Sequence, residues 1–284
     1  MLKVDEFESV FRAASREPFA LDPLPVPKVL VVTDLQGAAA VEFVDSARRL
    51  LGTLGQGVVW AHVGEGDFSD TEGMLAAVKA EQPTLVCSYR DLRSSSWRFP
   101  YSLGAYLNVL VRHTELPVVV LPNPHEVAPA QWRDSDTDSV MVVADHLAGD
   151  NQLVSWGVRL TRPGGVLHLT HVEDDATFER YLDAISKIAS IDTDNARTEI
   201  REQLLKEPRD YIRSAARGVA AAGIALQVHE IVVMGHRMAQ YKSLVTEQNV
   251  DLLLFHGTQD GQLAMHGTGY LLTVELRRTP LVVI

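Results

Sequence analysis

In the second half of this sequence, the residues most often found at positions where chemistry could occur are histidines. Neutral imidazole nitrogens ligate zinc and other borderline metals, and a carboxylate completes many such sets. These histidines follow predicted strands or precede the last predicted helix, and parallel strands end together at one edge of a sheet. The candidate ligands are His146, His171, His236, His256 and His266, with Asp145 beside them. No compact H-x-x-x-H or C-x-x-C spacing accompanies the set, so we favour structural roles over a metal site.

A second cluster that could do chemistry lies in the first half, in residues 88–104. Arg90, Arg93 and Arg98 alternate there with serines and Trp97. Guanidinium groups bind carboxylates and phosphates, so the segment could hold an anion or an acidic partner. Charged residues are also ordinary on exposed connections, and a solvated loop is the interpretation that we favour.

The composition argues against several other classes of protein. A formal net charge of −11 without a basic stripe is not that of a nucleic-acid binder. The chain has no nucleophile elbow or complete catalytic triad, so nothing beyond weak nucleotide hydrolysis is expected of it as an enzyme. Its single cysteine, Cys87, lies in an apolar run and is predicted to be a buried structural thiol. The sequence lacks a basic leader and an apolar run of membrane-spanning length, which predicts a soluble, cytoplasmic protein.

The elements that would position these residues occur twice along the chain. In each half a glycine is followed thirteen positions later (104 to 117 and 267 to 280) by a proline that opens an apolar run. Strand-like motifs upstream match as well. The matched pairs are Asp34 with Asp145, His62 with His171, Gly104 with Gly267, and Pro117 with Pro280. Self-similarity of this kind indicates two copies of one structural unit.

Each copy alternates apolar strands with amphipathic helices, an order typical of a parallel sheet buried on both faces. The first copy is predicted to run through strands at 28–34 and 58–63 with a helix at 38–54 between them. The second is predicted to run through strands at 141–145 and 166–172 with a helix at 147–160. Strand, helix and strand in this order form a right-handed βαβ unit.

The two copies differ in length after their second strand. His62 and Cys87 are 25 positions apart, whereas His171 and Phe255 are 84 positions apart. A crossover between parallel strands needs a dozen or more residues, so only the longer interval has room for further elements. That interval is predicted to hold helices at 178–188 and 196–222, the latter interrupted at Pro208, then a strand at 226–234 and a helix at 238–247. The first copy is therefore predicted to lack a helix and an edge strand.

The order of these motifs resembles that of the universal stress protein family. The motifs are a strand ending in aspartate, a strand ending in His-Val, an Asp-Leu-Leu strand, a Gly-Ser/Thr helix start and a final Pro-Val-x-Val strand. The resemblance implies a stress-response module of the α/β class, made of two doubly wound parallel-sheet domains with strand order 3-2-1-4-5. The chain is similar to a tandem member of the family whose first domain is degenerate and lacks an edge strand and helix.

This resemblance sets the expected domain boundaries. Residues 1–27 form an N-terminal helix, at 3–16, and a Pro-rich arm. Residues 28–122 form the degenerate domain, 123–138 a linker and 139–284 the second domain. In this family the ligand cleft lies at the carboxyl ends of strands 1 and 4, which is also where the switch-point rule for doubly wound sheets places ligands.

Many members of the family bind ATP, so the resemblance implies an adenine nucleotide site in the second domain. The family phosphate loop has the pattern G-x-x-G-x9-G-S/T, in which backbone N–H groups and a helix N-terminus hold phosphate. Here Gly257, Gly261 and Gly267 leave intervals of three and five residues instead of two and nine, so the loop is shorter, and Asp260 brings a carboxylate among them. The implied nucleotide-binding residues are Ala144, Asp145, Val172, Gly257, Gly261, Gly267 and Thr268.

Two alternatives to a nucleotide-binding module stay open. One is a protein-interaction module without a small ligand, and the other is a metal site that uses His146, His236, His256 and His266. The first domain is expected to bind no nucleotide, because its loop lacks early glycines and Ala105 replaces the hydroxyl residue. Family members commonly dimerise through their last strands, which implies antiparallel pairing of Pro117–Leu121 with Pro280–Ile284 as an intramolecular pseudo-dimer. A homodimer is a further possibility.

Overall fold

The computed structural model of the chain describes residues 18–94, 102–126, 136–144, 147–188, 191–257 and 268–284. The predicted helix at 3–16 lies outside these residues, as do Arg98, Asp145, His146, Gly261, His266 and Gly267. Within the ranges that are described, no helix is long and apolar enough to cross a lipid bilayer.

Nine strands alternate with eight helices along the described residues. The strands are β1 (Lys28–Val32), β2 (Val59–Val63), β3 (Leu85–Tyr89), β4 (Val118–Leu121), β5 (Ser139–Val143), β6 (Val166–Asp174), β7 (Gln227–Gly235), β8 (Leu252–Phe255) and β9 (Leu281–Val283). The helices are α1 (Gly37–Leu50), α2 (Thr71–Glu81), α3 (Ala105–His113), α4 (Asn151–Leu160), α5 (Asp175–Ser186), α6 (Thr193–Ala221), α7 (Arg237–Glu247) and α8 (Thr268–Glu275).

All nine strands belong to one sheet, in the order β2-β1-β3-β4-β9-β8-β5-β6-β7. Counted within residues 139–284, the second half, the order is 3-2-1-4-5, as predicted. The first half, residues 28–122, has the same arrangement without the outer strand, because only a short 3-10 turn and α2 lie between β2 and β3. The predicted fold class is therefore confirmed, including the lost edge strand and helix.

The two halves share one continuous sheet instead of packing as two separate sheets. β4 pairs antiparallel with β9, with Val118 opposite Val283 and Val120 opposite Leu281. The other neighbouring strands pair in parallel. The strands of the two halves consequently run in opposite directions, and their carboxyl ends lie at opposite edges of the sheet.

The core consists of the central strands and of the helix faces that cover them. β4 and β8 are buried along their whole length, which explains why their sequences are continuous apolar runs without alternation. Helix α1 buries Ala40, Phe43, Ala47 and Leu50, residues spaced by three and four positions. Burying each large apolar side chain contributes roughly 1.5–3 kcal/mol, so these layers supply most of the favourable free energy of folding.

Arg90 lies in the interior, not on a solvated loop as the sequence predicted. Its side chain is 2% exposed and donates from Nη2 to the carbonyl oxygen of Leu276 at 2.9 Å, and from Nη1 to that of Thr273. These carbonyls belong to the last turn of α8 and the residue after it, where unpaired acceptors and the helix dipole attract a cation. Burial lowers the pKa of Arg90 to about 10, so the group is still charged at neutral pH. A residue of the first half thus holds a helix of the second.

A second arginine joins the halves from the opposite direction. Arg159 in α4 donates from Nη1 to the Thr53 carbonyl oxygen at 2.5 Å and from Nη2 to that of Leu54 at 2.8 Å. Residues 52–54 form a 3-10 turn after α1, where the sequence had predicted a continuation of the helix to Leu54. The turn leaves its carbonyl groups free to accept these bonds.

The Pro-rich arm packs on the second half instead of acting as a free tether. Phe19 is 8% exposed and stacks edge-to-face on Tyr211 of α6, with the ring centroids 6.3 Å apart. The Phe19 N–H donates to Ser214 Oγ at 2.9 Å, and the Asp22 N–H donates to Ser155 Oγ at 3.0 Å. The arm therefore fastens α4 and α6 before the chain enters β1.

Helix α6 runs without a break through Pro208, where the sequence had predicted an interruption. A proline removes one N–H donor and crowds the preceding turn, which usually ends a helix. Here Pro208 is buried together with Leu205 and Ile212 on the face that packs against β7. Tertiary packing of that face outweighs the local penalty.

Candidate functional site

The switch point of the second half lies at the carboxyl ends of β5 and β8, where ligands bind in folds of this type. β5 pairs in parallel with both β6 and β8, so connections leave it in opposite directions at this point. Ala144, one residue beyond β5, is buried, and His256 and Gly257 follow β8. Asp145 and the segment 258–267 would extend this cleft and lie outside the described residues.

A hydrogen-bond contact between a histidine and a carboxylate crosses the switch point. Asp150 caps the N-terminus of α4, where its Oδ1 accepts a hydrogen bond from the Leu153 N–H at 3.1 Å. Its Oδ2 lies 2.7 Å from His256 Nε2. The cap holds the carboxylate on the β5 side, and the imidazole reaches it from the β8 side. His256, a predicted metal ligand, is thus bonded to a carboxylate across the cleft.

The backbone of Val172, which was expected to contact a nucleotide, already has hydrogen-bond partners from α7. Its N–H donates to Tyr241 Oη at 3.3 Å, and its carbonyl oxygen accepts from Arg237 Nε at 3.1 Å. Tyr241 is fully buried, at 0% exposure. A base that accepted a hydrogen bond from the Val172 N–H would have to displace Tyr241, whereas the carbonyl oxygen keeps a second lone pair. This contact could not be predicted from the sequence, because Val172 and Tyr241 are 69 positions apart along the chain.

Of the three glycines of the phosphate-loop segment, the structure describes only Gly257. The Gly257 N–H donates to the Ile284 carbonyl oxygen at 3.1 Å, so this N–H is already bonded to the residue that follows β9. Helix α8 begins at Thr268. Its first turn packs so tightly on β8 that a Cβ at Gly269 would lie 2.9 Å from the His256 carbonyl oxygen. The helix start is therefore fixed next to the end of β8, as a phosphate site would require.

The remaining histidines of the predicted set have structural partners or lie outside the described residues. His236 is exposed and caps α7, its Nδ1 accepting from the Ala239 N–H at 3.4 Å. His171 is 5% exposed and faces Glu173 Oε2 at 3.2 Å. Within the part of the chain that is described, no three His, Cys, Asp or Glu side chains converge as metal ligands. His146 and His266 are not described.

The equivalent cleft of the first half is filled by its own chain. Asp34 Oδ2 accepts a hydrogen bond from the Arg93 N–H at 3.0 Å, which agrees with the role of a strand-end turn residue. The Asp91 N–H donates to the Leu103 carbonyl oxygen at 3.0 Å, folding the loop back over the end of β3. Gly104 closes this fold with a φ of +82°, and a Cβ there would lie 2.8 Å from the Asp91 Cα.

A cleft that the sequence did not indicate lies at the amino-terminal edge of the second half. It has a volume of about 530 Å³ and is lined in part by Ser139, His168, His229 and Gln248. His168 Nδ1 and His229 Nδ1 are 2.9 Å apart. Burial, and secondarily the charge of His229, lowers the pKa of His168 to about 4. The only sequence signal was that both histidines occupy the third position of their strands, which requires the strand register to be known.

Comparison with solved structures places this fold beside universal stress proteins. A candidate universal stress protein from Pseudomonas aeruginosa matches with a TM-score of 0.53 and 12% identity, over 91% of this chain and 93% of that one. Another Pseudomonas aeruginosa protein, of unknown function, matches with a TM-score of 0.52 and 10% identity, over 91% and 92%. A universal stress protein from Archaeoglobus fulgidus matches with a TM-score of 0.49 and 16% identity, over 90% and 95%. No protein-family model and no curated protein sequence matches the chain.

These likenesses concern the fold. The chain has a universal stress protein-like fold built on a parallel-dominated sheet. At such low identity the comparison carries no residue roles or ligands across. The evidence for function therefore comes from the contacts within the cleft.

Proposed function

We propose that the chain is a stress-response module of the universal stress protein type that acts through protein contacts and does not carry a bound adenine nucleotide. The observation that carries this proposal is the occupied peptide of Val172. Both of its polar groups are bonded, to Tyr241 and to Arg237. A nucleotide base that accepted from this N–H would have to break its bond to Tyr241 and displace that fully buried ring.

The contact between Asp150 and His256 supports the same conclusion. It spans the two strand ends between which a ligand would lie, at 2.7 Å. Asp150 also caps α4, so moving it outward would remove a cap worth about 1 kcal/mol in addition to the contact with His256. Opening the cleft therefore has a free-energy cost that a bound ligand must offset.

Nucleotide binding in the second half is the second candidate, and one observation favours it. Helix α8 begins at Thr268, and its first turn packs closely against the residue that follows β8. A helix N-terminus next to glycines suits a phosphate. Under this second candidate function, the ligand would be ATP or a related adenine nucleotide. Its site would consist of Ala144, Asp145, Gly257, Gly261, Gly267 and Thr268.

Calorimetry separates the two candidates. ATP and ADP are titrated into the full chain, into Tyr241→Phe and into Arg237→Ala, with Lys242→Ala, whose side chain pairs with Glu275 at the surface, as control. We expect no binding heat from the unaltered chain and from the control. Micromolar binding by the unaltered chain would overturn the proposal, and Gly267→Val should then abolish it by obstructing the phosphate. Binding by Arg237→Ala alone would identify that side chain as the group that closes the site.

We further propose that the two halves are tandem copies of one domain and that the β4–β9 pair serves as the dimer contact within one chain. This proposal is supported by the shared strand order of the halves and by the antiparallel register of the pair. Sedimentation at increasing protein concentration tests it. A monomer is expected, whereas a tight dimer would show that a further surface is used for association.

A further inference from the structure

The histidine pair at the amino-terminal edge of the second half lies at the opposite end of the strands from the ligand cleft. His168 and His229 are register partners on β6 and β7. Their Nδ1 atoms face each other at 2.9 Å. His168 is 4% exposed, while His229 is exposed. One ring is thus held in the interior, and the other borders the cleft.

The hydrogen bonds around His168 assign the position of its proton. Ser139 Oγ donates its single proton to the Gln248 carbonyl oxygen at 2.9 Å. The contact between Ser139 Oγ and His168 Nε2, at 3.1 Å, must then be donated by the ring. Neutral His168 therefore has its proton on Nε2 and a lone pair on Nδ1, and this lone pair accepts the Nδ1–H of His229.

This arrangement gives His168 the support that metal-ligating histidines have. Such a ligand donates its second ring N–H to an oxygen atom, which fixes the tautomer and the ring orientation. Ser139 is that oxygen here, and Gln248 fixes Ser139 in turn.

We infer that His168 and His229 form a two-histidine chelate for a late divalent transition metal, with copper(II) as the best-fitting ion. Two nitrogens each about 2.0 Å from a metal lie roughly 2.9 Å apart at a right angle and roughly 3.3 Å apart at the tetrahedral angle. The observed separation of 2.9 Å is that of a hydrogen bond and lies within about 0.4 Å of both values, so a turn of the exposed His229 ring is enough to bring both nitrogens to one ion. Copper(II) is the divalent first-row ion that nitrogen ligands bind most tightly.

Metal binding exchanges one hydrogen bond for two metal–nitrogen bonds, with no net change in protons. The proton on His229 Nδ1 moves through water to Nε2 of the same ring, and Nδ1 then carries a lone pair. His168 keeps its proton on Nε2, donated to Ser139. The exposed ring of His229 turns so that both Nδ1 lone pairs meet at the ion.

The cleft provides access and further donor atoms. Its lining includes Asp138 and Gln227, whose side chains carry oxygen atoms. Within the described ranges, no third His, Cys, Asp or Glu side chain joins the pair as a ligand. Water therefore supplies most of the remaining positions, and the ion is expected to exchange with solvent.

Titration of the full chain with copper(II) chloride in a non-chelating buffer tests the site. We expect one equivalent that His229→Gln weakens at least tenfold and that Ser139→Ala weakens about tenfold, the usual effect of losing support behind a ligand. His62→Gln, which removes an exposed histidine from β2, should leave this equivalent unchanged. The paramagnetic resonance spectrum of the bound ion should show coupling to two nitrogens in the unaltered chain. Magnesium chloride should not bind, because that ion prefers oxygen ligands.

His229→Gln alters an exposed position, so its folding is checked by circular dichroism and is expected to be intact. If that folded variant bound copper(II) with unaltered affinity and an unaltered spectrum, the inference would be wrong. It would also be wrong if the unaltered chain bound no copper(II), since the two rings would then form only a hydrogen-bonded pair.

Discussion

Removing the Phe19 side chain tests whether the N-terminal arm stabilises the second half. Phe19 is 8% exposed and contacts Tyr211 edge-to-face. It lies so close to Gly218 that a Cβ there would be 2.8 Å from Phe19 Cδ1. Truncating a buried phenylalanine to alanine lowers the free energy of unfolding by about 3–5 kcal/mol in a fixed core.

The arm is not a fixed core, so the expected loss is smaller. If the truncated arm detaches, each released residue regains backbone entropy of about 1 kcal/mol, which offsets part of the lost contact. The hydrogen bonds from the Phe19 and Asp22 amides to Ser214 and Ser155 resist that release. We therefore expect Phe19→Ala to lower the free energy of unfolding by about 2 kcal/mol.

Urea denaturation monitored by tryptophan fluorescence measures this loss, with Leu21→Ala as the matched control. Leu21 is on the same arm but 37% exposed, and its truncation should change the free energy of unfolding by about 0.5 kcal/mol or less. Gly218→Ala adds a methyl group that clashes with the Phe19 ring, and it should reproduce the effect of Phe19→Ala. Equal effects of Phe19→Ala and Leu21→Ala would refute the reasoning, because the arm would then not be anchored through Phe19.

Three further predictions concern single sites. Gly104→Ala should lower the free energy of unfolding by about 2 kcal/mol or more, since the residue has φ +82° and its Cβ would lie 2.8 Å from the Asp91 Cα. The control Gly55→Ala, at φ +92° in open space, should lower the free energy of unfolding by only about 1 kcal/mol. A similar loss at both positions would show that the contact with Asp91 is not the cause. Native His168 stays neutral down to about pH 4, whereas the unfolded chain takes up that proton near pH 6.5. Stability should therefore fall as pH drops through this window, by at most about 3 kcal/mol for this group, and a pH titration of the unfolding midpoint should show a smaller fall in His168→Gln. Burial raises the pKa of the Cys87 thiol, so a thiol reagent at neutral pH should modify it only in urea, and rapid modification of the native chain would contradict its burial.

The fold could be predicted from the sequence because its signals are local or depend on length. Apolar runs such as Leu252–Phe255 mark strands buried on both faces, and these runs recur in the same order in both halves. The 25 positions between His62 and Cys87 cannot hold an extra strand, and the structure has none between β2 and β3. The location of the switch point follows from the strand order alone.

The polar contacts of the candidate site could not be predicted in the same way. Arg90 was placed on a solvated loop because its neighbours are polar, but its partners are carbonyl groups more than 180 residues further along the chain. The bonds of Tyr241 and Arg237 to Val172 likewise depend on how α7 lies against β6. Pro208 shows the reverse case, in which a strong local rule yields to packing. Residue type predicts which groups need partners, and only the packed chain decides which partners they find.

The antiparallel contact between β4 and β9 also determines how the molecule responds to dilution. A strand pair formed between two separate chains is bimolecular, and it dissociates when the protein concentration falls well below its dissociation constant. Here both strands belong to one polypeptide, so the contact is unimolecular and its effective concentration is set by the connecting chain. The β4–β9 contact that completes the nine-stranded sheet is therefore not lost by mass action when the protein is diluted.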